Sequence, residues 1–474
     1  MALALGVAAI QFKAAIPHSP NKSQLYIVPL SHNASYGSFP RKCEKKKRPG
    51  KPVIAVLRSV GTSAMDEASL LPYTPHHDVA PPQRSEWWNV CFILFAELVG
   101  TGVLALPFTL AQVGLIAGVA IIFASFVLSV ASGLLLWRLH ALHPDEALTY
   151  GALARCVMRG TTGSGIVQSI VSTLQYVAFF GNMAINLLLV VSSLRMVLGP
   201  DQTLACYSIA AAVLLPLAQI RTLHGVSWAG LGSSLAIATV LAVVLGECYV
   251  RSARATRTAA VPSPFEQFSA AAAAIFAFGG QGLFMETMAE MRDARDFKRA
   301  LLITSSAILC IYLLSSVTIF DAFGDAVPPN AMEVLPDGPA RKVAAAAMAF
   351  HVAVSYLLAN AVIGRAIHLK LDTEGANDWG ARGRLCWLGI TSAAMALCAA
   401  VVALIPNLSQ LMGLVGALST APLSFGFPAF FFIVASRRAG GALGAAEVLG
   451  LWAMVALTVV LVTLGLAANA AMLF

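Results

Sequence analysis

The chain has 474 residues, of which 58% are hydrophobic and only 11% charged. An ordinary soluble domain carries roughly 25% charged residues, so composition excludes a string of soluble domains. The net charge of +8 does not point to nucleic acid, because the basic residues gather in the N-terminal tail and between apolar runs. Eight cysteines are scattered with no CxxC pair, so no disulfide framework, metal site or cofactor is expected.

Residues 1–85 stand apart as a basic tail. From Met1 to Met65 the sole acid is Glu44, and a segment of this composition cannot bury a core, so disorder is expected. Three readings of it stay open. Low acidity with Ser, Arg and Lys fits an organelle transit peptide with "KPVIAVLRS" (51–59) near a processing site. "DEASLL" (66–71) has the pattern of a dileucine sorting signal for vacuole-like membranes. The third reading is a plain solvated tail whose polybasic stretch Arg41–Lys51 lies against anionic lipid.

Residues 86–474 read as a membrane domain. Leu115–Trp137, Val226–Gly246, Leu301–Phe320 and Leu385–Ile405 are uncharged runs. At about 1.5 Å per residue, about twenty residues cross a hydrocarbon core of roughly 30 Å. Lipid offers nothing to unpaired backbone groups, so these runs must be helices. The pattern predicts eleven spans near 89–113, 115–138, 166–194, 203–220, 226–249, 266–290, 301–322, 343–367, 385–405, 408–435 and 448–472, the fourth being short and carrying Pro216. With the tail placed inside, the inner loops hold 14 Lys and Arg and the outer loops 6. This bias places the N-terminus in the cytoplasm. The host membrane stays open between plastid envelope, vacuole-like membrane and plasma membrane.

Two spans break their own pattern. "IFAFGGQGLFMETMAEM" (275–291) puts Gly279, Gly280 and Gly282 in the sixth span, followed by Glu286 and Glu290. Each glycine costs about 1 kcal/mol in a helix interior relative to Ala. "ELVGTGVLALP" (97–107) puts Gly100, Thr101 and Gly102 in the first span, followed by Pro107. Small residues can equally serve close helix packing. The two interruptions lie five spans apart, however, and paired Gly/Pro-interrupted segments in two halves point to an inverted-repeat transporter site. Unwound backbone is tolerated only beside a polar cavity. There the N-terminus of a half-helix suits a carboxylate, and free carbonyls at the other end suit an ammonium.

The same stretches carry a resemblance. "ELVGTGVLALPFTLAQVG" (97–114), "IFAFGGQGLFMETMAEMRDARDF" (275–297) and "IPNLSQLMGLVGALSTAPLSFGFPAFFFIVA" (405–435) are similar to the first-, sixth- and tenth-span motifs of the amino acid/auxin permease family, within the amino acid–polyamine–organocation group. Gln281 stands where that family commonly has His, and Met288 where it has Gln; a Gln does not titrate. The resemblance implies an all-α integral membrane fold of two inverted five-helix repeats, with broken helices one and six and an extra C-terminal helix. It also implies uptake of amino acids by symport with a cation, a proton more than sodium.

On this reading backbone around Gly100, Thr101, Gly102 and Val103 takes the substrate carboxylate. Phe278, Gly279, Gly280 and Gln281 supply carbonyls for the amino group, with Phe278 as a cover. An ionised carboxylate inside the bilayer costs several kcal/mol unless it is paired or wet, so Glu97 is the candidate for proton coupling or a cation site, the other reading being an acid near the cytoplasmic water. Glu286 matches the family's sixth-span Glu and is assigned either to an inner gate with Arg365 or to proton transfer. Asn182 and Asn186, four apart on one face, line the cavity or bind across helices. His351 is the remaining titratable group at depth, with Ser355 and Asn360 on the same helix as oxygen donors if sodium is used. Glu290 and Asp293 belong to a solvated inner loop. A membrane-embedded amino-acid sensor and a sodium-coupled or antiporting carrier are the alternatives. An enzyme is not expected, for the chain has no HExxH motif, and no GxxxxGK[ST] loop suggests an ATP-driven pump.

Overall fold

The computed structural model describes residues 85–221, 223–250, 263–372, 375–376, 380–441 and 443–473. The expectations for the tail through position 84 and for its targeting signals fall outside these residues.

The described chain is all-helical, without a β-sheet; its one strand-like feature is an isolated bridge between Ser85 and Met291. Ten helices are long and apolar enough to cross a membrane, and the shorter Thr203–Leu217 makes an eleventh apolar helix. Its 15 residues extend about 22 Å. In chain order the spans are Trp87–Val113, Leu115–Leu142, Ser164–Leu198, Thr203–Leu217, Leu223–Val250, Pro264–Glu290, Phe297–Phe323, Pro339–Leu371, Ala381–Leu404, Leu408–Arg438 and Ala445–Leu473. They are numbered one to eleven below. Each falls where the apolar runs placed it to within a few residues at either end, and Thr203–Leu217 stops short of the expected position 220.

Local chemistry sets several of these ends. Spans one and two meet at a single residue, Gly114, whose φ of 84° lies in the left-handed region open to glycine. Span six starts at a capping box. The Ser263 hydroxyl accepts from the Glu266 amide, and the Glu266 carboxylate accepts from the Ser263 amide at 2.8 Å. Such a start is worth about 1 kcal/mol.

Burial separates centre from rim. Spans one and six have 72% of their central residues buried and spans three and eight 67%, against 28% for span five and 33% for spans nine and eleven. Span one packs against the first half of six and against span seven, and spans three and eight pair along their length. Lipid tails are as apolar as the side chains, so close packing and interhelical hydrogen bonds hold such a bundle. Ser355 donates to the Ala96 carbonyl at 3.1 Å, Trp387 to the Ala218 carbonyl at 2.9 Å, and Tyr150 to the Leu423 carbonyl at 2.6 Å.

Span ten holds an irregularity that the sequence reading did not anticipate. Gly416–Thr420 and Pro422–Gly426 are π-helical turns. Proline lacks the amide that a regular α-turn needs, and Pro422 opens the second wide turn. Such turns are frequent at functional sites.

Candidate functional site

Span six breaks where its glycines fall. The first half, Pro264–Ala277, ends with the Phe278 amide on the Ile275 carbonyl at 3.2 Å and the Gly279 amide on the Phe276 carbonyl at 2.8 Å. Gly280 is the N-cap of the second half, Gln281–Glu290. Buried carbonyls need partners, and side chains from neighbouring spans supply them. Ser129 donates to the Phe278 carbonyl at 2.9 Å, and Tyr312 to the Ala277 carbonyl at 3.1 Å. Of the carbonyls expected to be free for a substrate amino group, that of Phe278 is therefore already occupied.

Span one does not break. Trp87–Val113 is one continuous helix through Gly100, Thr101, Gly102 and Pro107, which corrects the expectation of a broken first helix. Its glycines admit neighbours. A Cβ at Gly100 would lie 2.5 Å from His351 Nε2, and one at Gly102 would lie 2.5 Å from Tyr312 Oη and 2.7 Å from Ala277 Cβ. Close packing, the other reading of the motif, explains both positions.

A hollow of about 40 Å³ lies against the break, lined by Glu97 and Thr101 of span one, Asn182 of span three, Gly279 and Gly280 of span six and Thr420 of span ten. Phe179, Leu283 and Leu423 complete it with apolar surface. It has room for only a few water molecules. Glu97 accepts from Asn182 Nδ2 at 2.9 Å through Oε1, and its buried Oε2 has no partner. Asn186 Nδ2 donates in turn to Asn182 Oδ1 at 3.3 Å. The Thr101 hydroxyl is buried and makes no hydrogen bond to another described residue. In the first turn of the second half-helix, N–H groups lack the regular intrahelical acceptor. Gly280 and Gly282 are both on the hollow's wall, so neither residue adds a side chain of its own at that end.

About two turns further along span three, Gln175 repeats the arrangement. Its amide donates to the Gly282 carbonyl at 2.6 Å and to Glu286 Oε1 at 2.7 Å. Glu286 Oε2 is buried without a partner. Gln175, Asn182 and Asn186 thus form one polar face, and two of them hold a carboxylate. The expected pairing of Glu286 with Arg365 does not form; Arg365 donates to the Ala376 carbonyl at 3.3 Å.

The structure therefore brings Glu97, Thr101, Asn182, Gly279 and Gly280 together at one hollow and leaves other expected residues outside it. Val103 is fully buried in the core. Phe278 packs edge-on against Tyr312, ring centroids 5.1 Å apart, and does not cover the hollow. Gln281, fully buried, accepts from Ser424 at 2.6 Å and donates to Ser129 Oγ at 2.8 Å, so it clamps spans two, six and ten. His351 is bonded through Nδ1 to Ser233 Oγ at 2.8 Å, with its unpartnered Nε2 behind Gly100. The oxygens of Ser355 and Asn360 do not converge on a cation; Ser355 bonds Ala96 and Asn360 bonds the Ala218 carbonyl at 3.3 Å. Asp293 pairs with Arg295 at 2.9 Å in the exposed loop, and that guanidinium holds its carboxyl below the usual range.

Sequence reasoning missed Gln175, Ser129, Tyr312 and Thr420. Gln175 carried a readable signal, for it lies seven residues before Asn182 and so on the same helical face. A second hollow, of about 350 Å³, opens at the far end of span three between Ser192, Asn330 and Asn407.

The family model described as "Transmembrane amino acid transporter protein" matches residues 83–470. A protein of Gibberella moniliformis (strain M3125 / FGSC 7600) named "Transmembrane transporter" is 27% identical over 163 residues, 32% of this chain and 33% of that protein. One of the same name from Fusarium pseudograminearum (strain CS3096) is 28% identical over 165 residues, with the same coverage. The matched segment spans about a third of each fungal protein. A solved structure described as the substrate-bound outward-open state of a Na+-coupled sialic acid symporter is 14% identical, with a TM-score of 0.44, covering 81% of this chain and 90% of that one.

Proposed function

Because the chain belongs to the transmembrane amino acid transporter family over residues 83–470, we propose that it is a secondary active carrier moving amino acids across a membrane by proton-coupled symport with alternating access. The single observation that carries this reading is the hollow at the broken turn of span six, with one half-unsatisfied carboxylate on its wall.

Roles follow from the groups present. The start of the second half-helix takes the substrate carboxylate at the amides of Gln281 and Gly282, where N–H groups without a helical acceptor and the helix dipole favour an anion. The ammonium faces Glu97 and the Thr101 hydroxyl. Span one keeps its helical bonds, so the backbone of Gly100, Gly102 and Val103 is not offered to the ligand. This shifts the carboxylate seat from span one to span six.

Coupling rests on Glu97. An ionised carboxylate with a buried, unpartnered oxygen is costly, so a proton or a substrate cation on Glu97 relieves the site. Glu286, held by Gln175 about two turns from Asn182, is a second station for the same proton. The two inverted five-helix repeats, the cytoplasmic N-terminus and the proton rather than sodium as coupling ion belong to this proposal. The basic-residue bias supports the orientation.

The test is uptake of labelled amino acids into liposomes carrying the purified full chain, under imposed pH or sodium gradients. The reading predicts accumulation driven by an inward proton gradient. It also predicts that Glu97→Gln retains exchange but no longer responds to that gradient. Uptake driven by sodium alone overturns the proton assignment, and binding without flux favours a sensor.

A further inference from the structure

The walls of the hollow carry information on which amino acids fit, an inference that rests on the carrier reading above. Three spans around it touch at positions lacking a Cβ. A Cβ at Gly279 of span six would lie 2.1 Å from Thr420 Cγ2 of span ten. One at Gly181 of span three would lie 2.5 Å from Val415 Cγ2, and one at Gly416 would lie 2.7 Å from the Ala272 carbonyl oxygen. Spans three, six and ten are interlocked at these close approaches, and Gly279 and Thr420 themselves line the hollow. Widening it for a branched or aromatic side chain means separating these contacts together, and packed interiors resist such strain.

Charge narrows the choice further. Glu97 is the sole ionisable residue lining the hollow. A second carboxylate on the substrate would face it with no cation in the wall, a buried unpaired charge. A basic side chain would complement the charge of Glu97, but its long stem would have to displace the packed walls of this small hollow. Phe179, Leu283 and Leu423 offer apolar surface to a methyl or hydroxymethyl group.

We infer that the hollow selects small neutral amino acids, the glycine, alanine and serine class, and rejects acidic, long basic and aromatic ones. Exclusion arises from the glycine-to-side-chain contacts that fix the walls and from the lone carboxylate among them.

The experiment compares kcat/KM of the reconstituted full chain for alanine, serine, leucine, phenylalanine, glutamate and lysine. One methylene in a close-fitting pocket is worth roughly 10–200-fold, so alanine is expected to exceed leucine by at least about tenfold. Glutamate flux is expected at background. Leu423→Ala removes a wall side chain and is expected to cut the alanine-to-leucine ratio about tenfold. Should that variant fail to fold, thermal unfolding of the unaltered chain decides: alanine raises the midpoint and leucine does not. Leucine, phenylalanine or glutamate carried as well as alanine overturns this inference and leaves the carrier reading intact. An unchanged ratio in Leu423→Ala also overturns it. Absence of flux for every amino acid overturns both.

Discussion

Spans one and six both carry clustered glycines at mid-depth, yet one runs straight and the other breaks. Span one has two glycines in three residues, Gly100 and Gly102, and span six has three in four, Gly279, Gly280 and Gly282. At about 1 kcal/mol each, that difference alone does not decide the outcome. What faces the glycines does. In span one the His351 ring and the Tyr312 hydroxyl press on the bare Cα positions, and the helix remains intact beneath them. In span six Ser129 and Tyr312 donate hydrogen bonds to the carbonyls freed at Phe278 and Ala277. Carbonyls freed by a break in lipid need such donors, whereas glycine in an intact helix serves as a packing device. Tyr312 serves both: its hydroxyl also bonds the Leu98 carbonyl of span one.

Changes on the two sides of this comparison have different expected sizes. The largest effect belongs to Gly279→Ala, which drives a Cβ into Thr420 at the break. A misplacement of about 1 Å near a binding site can cost about 100-fold, and uptake in liposomes is expected to fall by that order while the protein still inserts. Adding Thr420→Ser, which deletes the opposing methyl, is expected to restore part of it. Full activity in Gly279→Ala alone would sever the break from transport.

Tyr312→Phe comes next, because it removes the donor shared by both spans. The Ala277 carbonyl then stays buried without its partner, a cost of about 1–3 kcal/mol, read as a lower thermal midpoint in detergent. Gly102→Ala tests the packing account of span one. The change gains about 1 kcal/mol of helix propensity but forces overpacking against Tyr312 that costs about 1–3 kcal/mol. The net expectation is a modest loss of stability; a clear rise would mean that the glycine serves something other than close approach. The smallest effect is expected for Gly282→Ala. Its added Cβ meets only Leu423 Cδ1, at 3.9 Å, inside a regular half-helix. Unfolding is expected to shift upward by at most about 1 kcal/mol, with Gln175 still bound to the residue 282 carbonyl.

Much of this fold was legible in the sequence. Apolar runs without charge located the spans, and the short fourth one was recognisable from its length and Pro216. The break in span six was legible from three glycines around Gln281. The unbroken first span was not, since Gly-Thr-Gly reads the same whether it unwinds or packs. The answer lay with His351 and Tyr312, more than two hundred residues away. Half of the site followed the same logic. Glu97 and Asn182 stood out as polar groups at depth, and they do meet. Gln281 and Phe278 looked like ligand contacts because they flank the break, but neighbouring hydroxyl and aromatic groups absorb them. The wide turns of span ten depend on how Pro422 is accommodated, which residue pattern alone does not specify.

The central claim is that an amino acid sits at the break of span six, against Glu97 and Thr101. The most direct measurement is an experimental structure of the full chain with saturating alanine. The account predicts ligand density in the hollow, its carboxylate at the amides of Gln281 and Gly282 and its ammonium toward Glu97. Alanine bound elsewhere, with this hollow empty and transport intact, would contradict it.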